Sequence, residues 1–278
     1  MSVSALWIIL GMHRSGTSLL MSVLDRLGFH LGGPEDFHPA TEHDPEGYRE
    51  HIAVWQLNEE VLAAGGASWD QPQRFDPATL DDAVRSRFVD RARETLRSLQ
   101  HGAGTRPVAI KDPRLSLTLP LWRAALPAST DVRFVVMTRD PLEVARSLAA
   151  RDGIPLEAGL ALWEAYQRGA LNGTDLASTA LVSQSSLLAD PSGIVRQLLA
   201  SFGDDAFVAD LGAVVRPDLR RQVVDPGDSG QWLWPGLREV VEATARGGIR
   251  RPPPRVSGPL SPLAHGLLER YGVERRDR

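Results

Sequence analysis

Residues 6–20 read LWIILGMHRSGTSLL, an apolar run followed by a glycine loop and the start of a helical pattern. The apolar residues 6–10 predict a strand that is buried on both faces, as in a parallel sheet. Apolar side chains then recur at helical spacing over residues 17–27, and this order of strand, glycine loop and helix is typical of a phosphate-binding loop. Nucleotide hydrolases have a lysine after the second glycine of that loop, whereas this chain has Thr17 after Gly16. The segment therefore predicts an anion-binding loop whose ligand does not depend on that lysine.

The loop offers both backbone and side-chain donors to an anion. Backbone N–H groups from Arg14 to Ser18 lie at the start of the predicted helix, where the helix dipole favours negative charge. Thr17 and Ser18 add hydroxyl groups, and the guanidinium of Arg14 stands inside the loop, within reach of a bridging oxygen. The alternative interpretation is an ordinary glycine turn before a helix, and the loop alone does not decide between the two.

Strand and helix patterns alternate along most of the chain. Strands that alternate with helices are joined by right-handed crossovers and form a parallel sheet that is covered on both faces. We therefore predict a three-layer α/β fold of the P-loop type, with a central, mostly parallel sheet flanked by helices. We expect one domain over residues 1–278, with an irregular, Trp- and Pro-rich extension from about residue 225. The predicted strands after the first are 108–110, 132–138 and 180–183, and the predicted helices are 17–27, 49–63, 80–100, 141–151, 156–171, 191–202 and a short one at the C-terminus.

Composition limits the functional classes. A formal net charge of −4 argues against general binding to nucleic acids or membrane surfaces, because both require an excess of basic residues. The chain has no cysteine, which excludes disulfides and thiolate metal sites, and its histidines lack the spacing of a zinc motif. No apolar stretch approaches the length of a membrane span. We expect a cytoplasmic protein without a metal site, a nucleic-acid partner or a membrane insertion.

A second motif follows the predicted strand 132–138. Residues 135–148 read VVMTRDPLEVARSL, so Arg139 stands at the carboxyl end of the strand and Pro141 opens a helix. Ligands of open α/β sheets bind at the carboxyl ends of strands. Ser147 lies eight residues after Arg139, just over two helical turns into the helix, so that both side chains can reach one phosphate. The alternative is a salt-bridged arginine and an unrelated surface serine.

Together, the two motifs resemble the sulfotransferases that use 3′-phosphoadenosine 5′-phosphosulfate. The similarity continues into AIKDPRLSLTLP (residues 109–120) and SSLLADPSGIVRQLLASFG (residues 185–203), and the chain looks most similar to bacterial members that modify small molecules or glycans. The resemblance implies that the loop holds the 5′-phosphosulfate and that the arginine and serine of the second motif hold the 3′-phosphate. Two arginines in RPDLRRQ either add 3′-phosphate contacts or mark an exposed helix end. The implied donor-binding residues are Arg14, Ser15, Gly16, Thr17, Ser18, Arg139, Ser147, Arg220 and Arg221.

The resemblance implies transfer of a sulfuryl group to a hydroxyl, or less readily to an amine, of a small molecule or glycan. A sulfuryl group carries one negative charge fewer than a phosphoryl group, so a divalent metal is less needed and we expect no metal dependence. Arg14 then meets the charge that builds on the departing 5′-phosphate. Lys111, the only lysine of the chain, contacts the sulfonate or pairs with Asp112. The alternatives are a P-loop kinase or nucleotide hydrolase, and an inactive nucleotide-binding protein of the same fold.

The chain departs from the family pattern at three positions. His13 stands where proline is frequent, Gln184 replaces a tyrosine that lies near the adenine, and Pro113 replaces the histidine that acts as general base in the cytosolic members. Members that act on tyrosyl and sugar hydroxyls instead use a glutamate shortly after the loop helix, and Glu35 stands at a similar distance. We therefore predict Glu35 as the base, together with Arg14 and Lys111 as catalytic residues. The rival bases are Asp36, His38, Glu46, Glu50 and His51.

Overall fold

The computed structural model describes residues 5–38, 47, 49–204, 211, 233–246, 249, 256 and 258–276. Within these ranges the strands are β1 (Leu6–Leu10), β2 (Val108–Lys111), β3 (Val132–Thr138) and β4 (Thr179–Ser183). The helices are α1 (Thr17–Arg26), α2 (Ile52–Ala64), α3 (Asp82–Ala103), α4 (Leu115–Ala125), α5 (Pro141–Asp152), α6 (Leu156–Gly173), α7 (Gln184–Ala189), α8 (Pro191–Ser201), α9 (Pro235–Arg246) and α10 (Pro262–Arg276).

The four described strands form one parallel sheet in the order β2-β1-β3-β4. β1 lies between β2 and β3, and all five of its residues are buried, as the sequence predicts. Its side chains alternate between two hydrophobic cores. Leu6, Ile8 and Leu10 face the core that contains α2 to α6, whereas Trp7 and Ile9 face the core that contains α1 and α8. Helices therefore cover both faces of the sheet, and the predicted three-layer α/β fold is confirmed.

The carboxyl ends of β1, β2 and β3 meet at the same edge of the sheet, because neighbouring strands are parallel. The chain passes very close to β3 as it leaves β1. Gly11 has a φ of 137°, and a Cβ built on it would lie 2.6 Å from the carbonyl oxygen of Met137. Only glycine fits this approach. The close approach brings the loop after β1 next to the predicted second motif after β3.

Helix α4 was not among the predicted helices, because Pro120 lies in its interior and proline is a helix breaker. Pro120 has no N–H to offer to the carbonyl of Ser116. That carbonyl packs against α6 instead, since a Cβ built on Gly169 would lie 2.3 Å from the Ser116 oxygen. The tertiary contact with a glycine accommodates the carbonyl that the proline leaves without its helical partner.

Two segments within the predicted irregular C-terminal extension are helical. The first, α9, was not predicted, whereas α10 agrees with the short helix expected at the C-terminus. Their hydrophobic side chains belong to the same core as α4 and α6. The buried carboxylate of Glu164 on α6 accepts hydrogen bonds from Trp234 Nε1 (2.6 Å) and Ser261 Oγ (2.9 Å). These contacts support the proposal of a single domain. Within the described ranges, no helix combines the length and the apolar character needed to cross a bilayer.

Candidate functional site

The loop between β1 and α1 has the backbone of an anion-binding turn. Gly16 caps α1 in the left-handed region (φ 88°), and Arg14 also has a positive φ of 68°. The backbone N–H of Gly11 donates to Ser116 Oγ on α4 at 3.0 Å, which fixes the start of the loop. The N–H of Ser15 donates to the carbonyl of Met12 (3.2 Å). This N–H, one of the five predicted anion donors from Arg14 to Ser18, is therefore used within the loop.

The start of α1 combines the N–H groups of a helix N-terminus with a buried hydroxyl. Ser15 is fully buried, and its Oγ has no hydrogen-bond partner within the described part of the chain. The first-turn N–H groups of a helix have no partner inside the helix, and the helix dipole favours an anion beside them. Gly16 is covered by Gln184, since a Cβ built on it would lie 2.8 Å from Gln184 Cγ. The residues of the loop fit a phosphate-like group.

The loop and the second motif meet through Arg14. Its Nε donates to Ser147 Oγ at 2.9 Å, and its backbone carbonyl accepts from Arg139 Nη1 at 3.0 Å. Arg139 also forms a salt bridge with Glu143, one helical turn further along α5, with Nε and Oε2 2.8 Å apart. The salt bridge of the alternative interpretation is therefore present, but Ser147 is buried (7% exposed) and bonded to Arg14, so it is not an unrelated surface serine. Binding of one phosphate by Arg139 and Ser147 stays a prediction. Arg139 is salt-bridged, and it lies together with Arg14 and Ser147 at the carboxyl end of β3.

Lys111 ends β2 and reaches the same loop from the other side. Its side chain is 2% exposed, and its Nζ lies 3.2 Å from Ser18 Oγ and 2.8 Å from Glu50 Oε1. Glu50 precedes α2 and is itself buried. Among the described candidates for the base, Glu50 is the one that forms a salt bridge with Lys111. Its contact depends on how the segment before α2 folds back on β2, which no local pattern reveals.

A further buried ion pair follows Lys111. Asp112 is fully buried and accepts from the backbone N–H (2.7 Å) and from Nη1 (3.2 Å) of Arg114. Nε of Arg114 also donates to Glu59 on α2. Burial raises the pKa of the Asp112 carboxyl to about 6, although the Arg114 charge opposes the shift. Our sequence prediction missed Arg114 and Glu59, and the charged run KDPR was the available signal for Arg114.

His13 contributes an uncharged ring to the loop. It packs against Trp69, with ring centroids 4.9 Å apart, and against Tyr166, with centroids 5.8 Å apart. The hydroxyl of Tyr166 donates to the carbonyl of Trp69 (2.7 Å), so the three aromatic side chains form one unit. Burial, assisted by the charges of Arg114, Arg151, Lys111 and Arg14, lowers the pKa of His13 well below its usual value. The imidazole is therefore neutral near pH 7.

The predicted base, Glu35, lies elsewhere. It is exposed in a short 3₁₀ turn, Pro34–Asp36, and no contact joins it to the loop in the described part of the chain. It lines a cavity of about 650 Å³ between this turn, the start of α2 and α3, and none of residues 11–18 lines that cavity. In the described part of the chain, Lys111 therefore forms its salt bridge with Glu50 and not with Glu35.

The other rival bases have roles in the local structure. Asp36 Oδ2 accepts from the N–H of Gly33 (2.7 Å) and lies 3.7 Å from His51 Nε2. His51 Nδ1 caps α2 by accepting from the N–H of Ala53 (3.2 Å), and burial lowers the pKa of His51. His38 packs edge-on against Trp55.

Three candidate site residues, Glu46, Arg220 and Arg221, lie outside the described residues. Within those residues, no group of three or more His, Asp or Glu side chains is arranged to hold a metal ion.

Comparison with known proteins gives a family and two structural likenesses. A model described as "Sulfotransferase family" matches residues 7–206. The chain aligns with the sulfotransferase domain from the Synechococcus PCC 7002 olefin synthase at 15% identity and a TM-score of 0.46, over 98% of this chain and 97% of that chain. It aligns with the sulfotransferase domain from the curacin biosynthetic pathway at 16% identity and a TM-score of 0.44, over 98% of this chain and 99% of that chain. No curated protein matches the sequence.

Proposed function

The chain belongs to the sulfotransferase family, and on this premise we propose that it transfers a sulfuryl group from 3′-phosphoadenosine 5′-phosphosulfate to a hydroxyl of a small molecule or glycan. One observation carries the proposal. Lys111 Nζ lies within hydrogen-bond distance of both Ser18, in the anion-binding loop, and Glu50, a carboxylate able to accept a proton. One ammonium group thus links the proposed donor site to a candidate base.

In this proposal the donor binds with its 5′-phosphosulfate on the loop. Gly16, Thr17 and Ser18 offer N–H groups at the start of α1. The buried hydroxyl of Ser15, which has no hydrogen-bond partner among the described residues, supports an anion at this position. Arg139 and Ser147 hold the 3′-phosphate, and the contacts of Arg14 with both support placing the two phosphate subsites side by side. Arg220 and Arg221 stay as proposed additional contacts with the 3′-phosphate.

The proposed reaction is an in-line displacement at sulfur. The acceptor oxygen forms a new S–O bond while the S–O bond to the 5′-phosphate breaks, and the acceptor proton passes to the base. Lys111 and Arg14 stabilise the negative charge that moves onto the departing phosphate. We propose Glu50 rather than Glu35 as the base, because Glu50 lies 2.8 Å from Lys111 Nζ whereas Glu35 is exposed in a separate turn. Both cations come from the chain itself, so the proposed transfer needs no divalent metal.

The proposal is tested by incubating the protein with the phosphosulfate donor and a set of hydroxyl compounds in the presence of EDTA. Mass spectrometry of the products detects the addition of one sulfuryl unit, and chromatography measures the adenosine 3′,5′-bisphosphate that forms with it. A Lys111→Met variant removes the charge while keeping an apolar stem of similar length. The proposal requires equal amounts of the two products in wild type and a large loss of both in the variant. Transfer of phosphate from ATP, dependent on magnesium, contradicts it.

A further inference from the structure

The charges around the proposed base are not balanced. Glu50 pairs with Lys111 (2.8 Å), and Arg114 pairs with both Asp112 (3.2 Å) and Glu59. Lys111 ends β2, and Asp112 and Arg114 follow it directly, while Glu50 precedes α2 and Glu59 lies in the middle of that helix. This acidic cluster, defined as Glu50, Glu59, Asp112, Lys111 and Arg114, contains three carboxylates and two cations.

Among the residues that the structure describes, the neighbours of the cluster add no surplus of positive charge to the acceptor side. His13 is neutral, because burial lowers its pKa well below the usual value. Arg139 is paired with Glu143 (2.8 Å), and Arg151, whose charge acts on His13, is paired with Asp152 (2.8 Å). Arg14 belongs to the donor side of the loop. A bound phosphosulfate donor is itself a polyanion. A second anion placed beside Glu50 therefore meets net negative charge from the cluster and from the donor.

From this charge arrangement we infer that the acceptor is an uncharged hydroxyl compound, without a carboxylate or phosphate beside the reacting hydroxyl, and that Glu59 is a specificity-determining residue. The inference rests on the proposed sulfuryl transfer. Glu59 is the carboxylate of the cluster most open to a bound molecule, since its side chain is 34% exposed compared with 11% for Glu50 and 0% for Asp112. Electrostatic selection of this kind acts by repelling the wrong acceptor.

The test compares acceptors that differ by one negative charge and one methyl group: methyl lactate with lactate, methyl mandelate with mandelate, and methyl salicylate with salicylate. Assays at pH 8 keep Asp112 ionised, since that pH is above its pKa of about 6. Wild type should sulfate the esters in preference to the acids. Glu59→Gln keeps the size and the hydrogen-bonding ability of the side chain, and it should raise the acid-to-ester rate ratio by roughly three- to thirty-fold. Glu60→Gln, whose wild-type side chain pairs with Arg91 instead, is the matched control and should leave the ratio unchanged.

A binding measurement separates failure of this inference from failure of the proposed function. Saturation-transfer NMR of the protein bound to adenosine 3′,5′-bisphosphate detects ester and acid without turnover. Ester binding without sulfation of any hydroxyl compound supports the acceptor class and contradicts the sulfuryl transfer. Three results overturn the inference. They are equal binding or equal turnover of acids and esters in wild type, an unchanged acid-to-ester rate ratio in Glu59→Gln, and the absence of an ester signal from every pair.

Discussion

Arg14 Nε donates a hydrogen bond of 2.9 Å to Ser147 Oγ, joining the loop after β1 to α5 across 133 positions of sequence. The same Arg14 accepts from Arg139 through its backbone carbonyl (3.0 Å). These two contacts hold the two proposed phosphate-binding motifs together at one edge of the sheet. Groups that are already placed in this way reorganise little when a ligand binds, which lowers the cost of binding.

Loss of Arg139 should weaken recognition of the 3′-phosphate. Arg139→Gln should lower the affinity for adenosine 3′,5′-bisphosphate by roughly ten- to a hundred-fold, because a charge-assisted hydrogen bond is worth about 1.5–3 kcal/mol. Calorimetric titration with the bisphosphate and with adenosine 5′-monophosphate measures the preference. The variant should be made together with Glu143→Gln, so that the buried partner of Arg139 does not keep its charge (Glu143 is 2% exposed). An intact preference for the bisphosphate in the double variant would show that the 3′-phosphate binds elsewhere.

Removal of the proposed base should slow turnover with little effect on donor binding. Glu50→Gln should lower kcat by roughly 10² to 10⁴, the usual contribution of general acid–base catalysis, and leave the affinity for adenosine 3′,5′-bisphosphate nearly unchanged. Glu35→Gln is the control and should stay within a few-fold of wild type. If Glu35→Gln loses activity and Glu50→Gln keeps it, the base follows the loop helix as the sequence pattern first indicated.

Asp112 should make stability depend on pH between about 4 and 6. Burial raises its pKa from 3.8 to about 6 in the folded protein, so the folded state holds a proton that the unfolded state has released. Stability contributed by that proton is present below the unfolded pKa and is lost as the pH rises through the folded pKa, at up to about 1.4 kcal/mol per pH unit. Urea unfolding should show that the free energy of unfolding of wild type, measured relative to Asp112→Asn, falls as the pH rises from about 4 to 6 and stays constant above that pH. A constant difference from pH 4 upwards would contradict the raised pKa.

Substitution of Gly169 should destabilise the fold, because the carbonyl of Ser116 packs against this glycine. Pro120 has no N–H with which to bind that carbonyl within α4. A Cβ at Gly169 would lie 2.3 Å from the Ser116 oxygen, so Gly169→Ala should destabilise the fold by about 1–3 kcal/mol, as overpacking does. Gly266 in α10 provides the control, since a Cβ there meets no atom within 4 Å. Gly266→Ala should stabilise by about 0.5–1 kcal/mol, because alanine is the better helix former. Similar stability changes in the two variants would disprove the close contact between α4 and α6.

The sequence predicts the parts of this site that depend on local patterns. The strand, loop and helix at residues 6–27 were predictable because burial on both faces, glycine spacing and helical periodicity follow one another. The positions of Arg139 and Ser147 beside the carboxyl end of β3 were predictable because both lie on one strand–helix unit, whereas their binding of the 3′-phosphate stays a prediction. The Lys111–Glu50 pair could not be chosen from among six candidate bases, since it depends on how a distant segment folds back on β2. Helix α4 was not predicted for a similar reason. Pro120 lies in its interior, and the contact that accommodates the carbonyl of Ser116 comes from Gly169 on another helix.

Binding of adenosine 3′,5′-bisphosphate in the presence of EDTA tests the proposed donor most directly. Isothermal titration calorimetry of the wild-type protein should show one saturable site, because we propose that the loop residues Gly16 to Ser18, with Arg14, Arg139 and Ser147, bind phosphates without a metal. Adenosine 5′-monophosphate should bind more weakly by a factor of roughly ten to a hundred, since the charge-assisted contacts with the 3′-phosphate are missing. Binding of ATP only with magnesium, together with no detectable binding of the bisphosphate, would contradict the sulfotransferase donor site and indicate a nucleotide kinase or hydrolase instead.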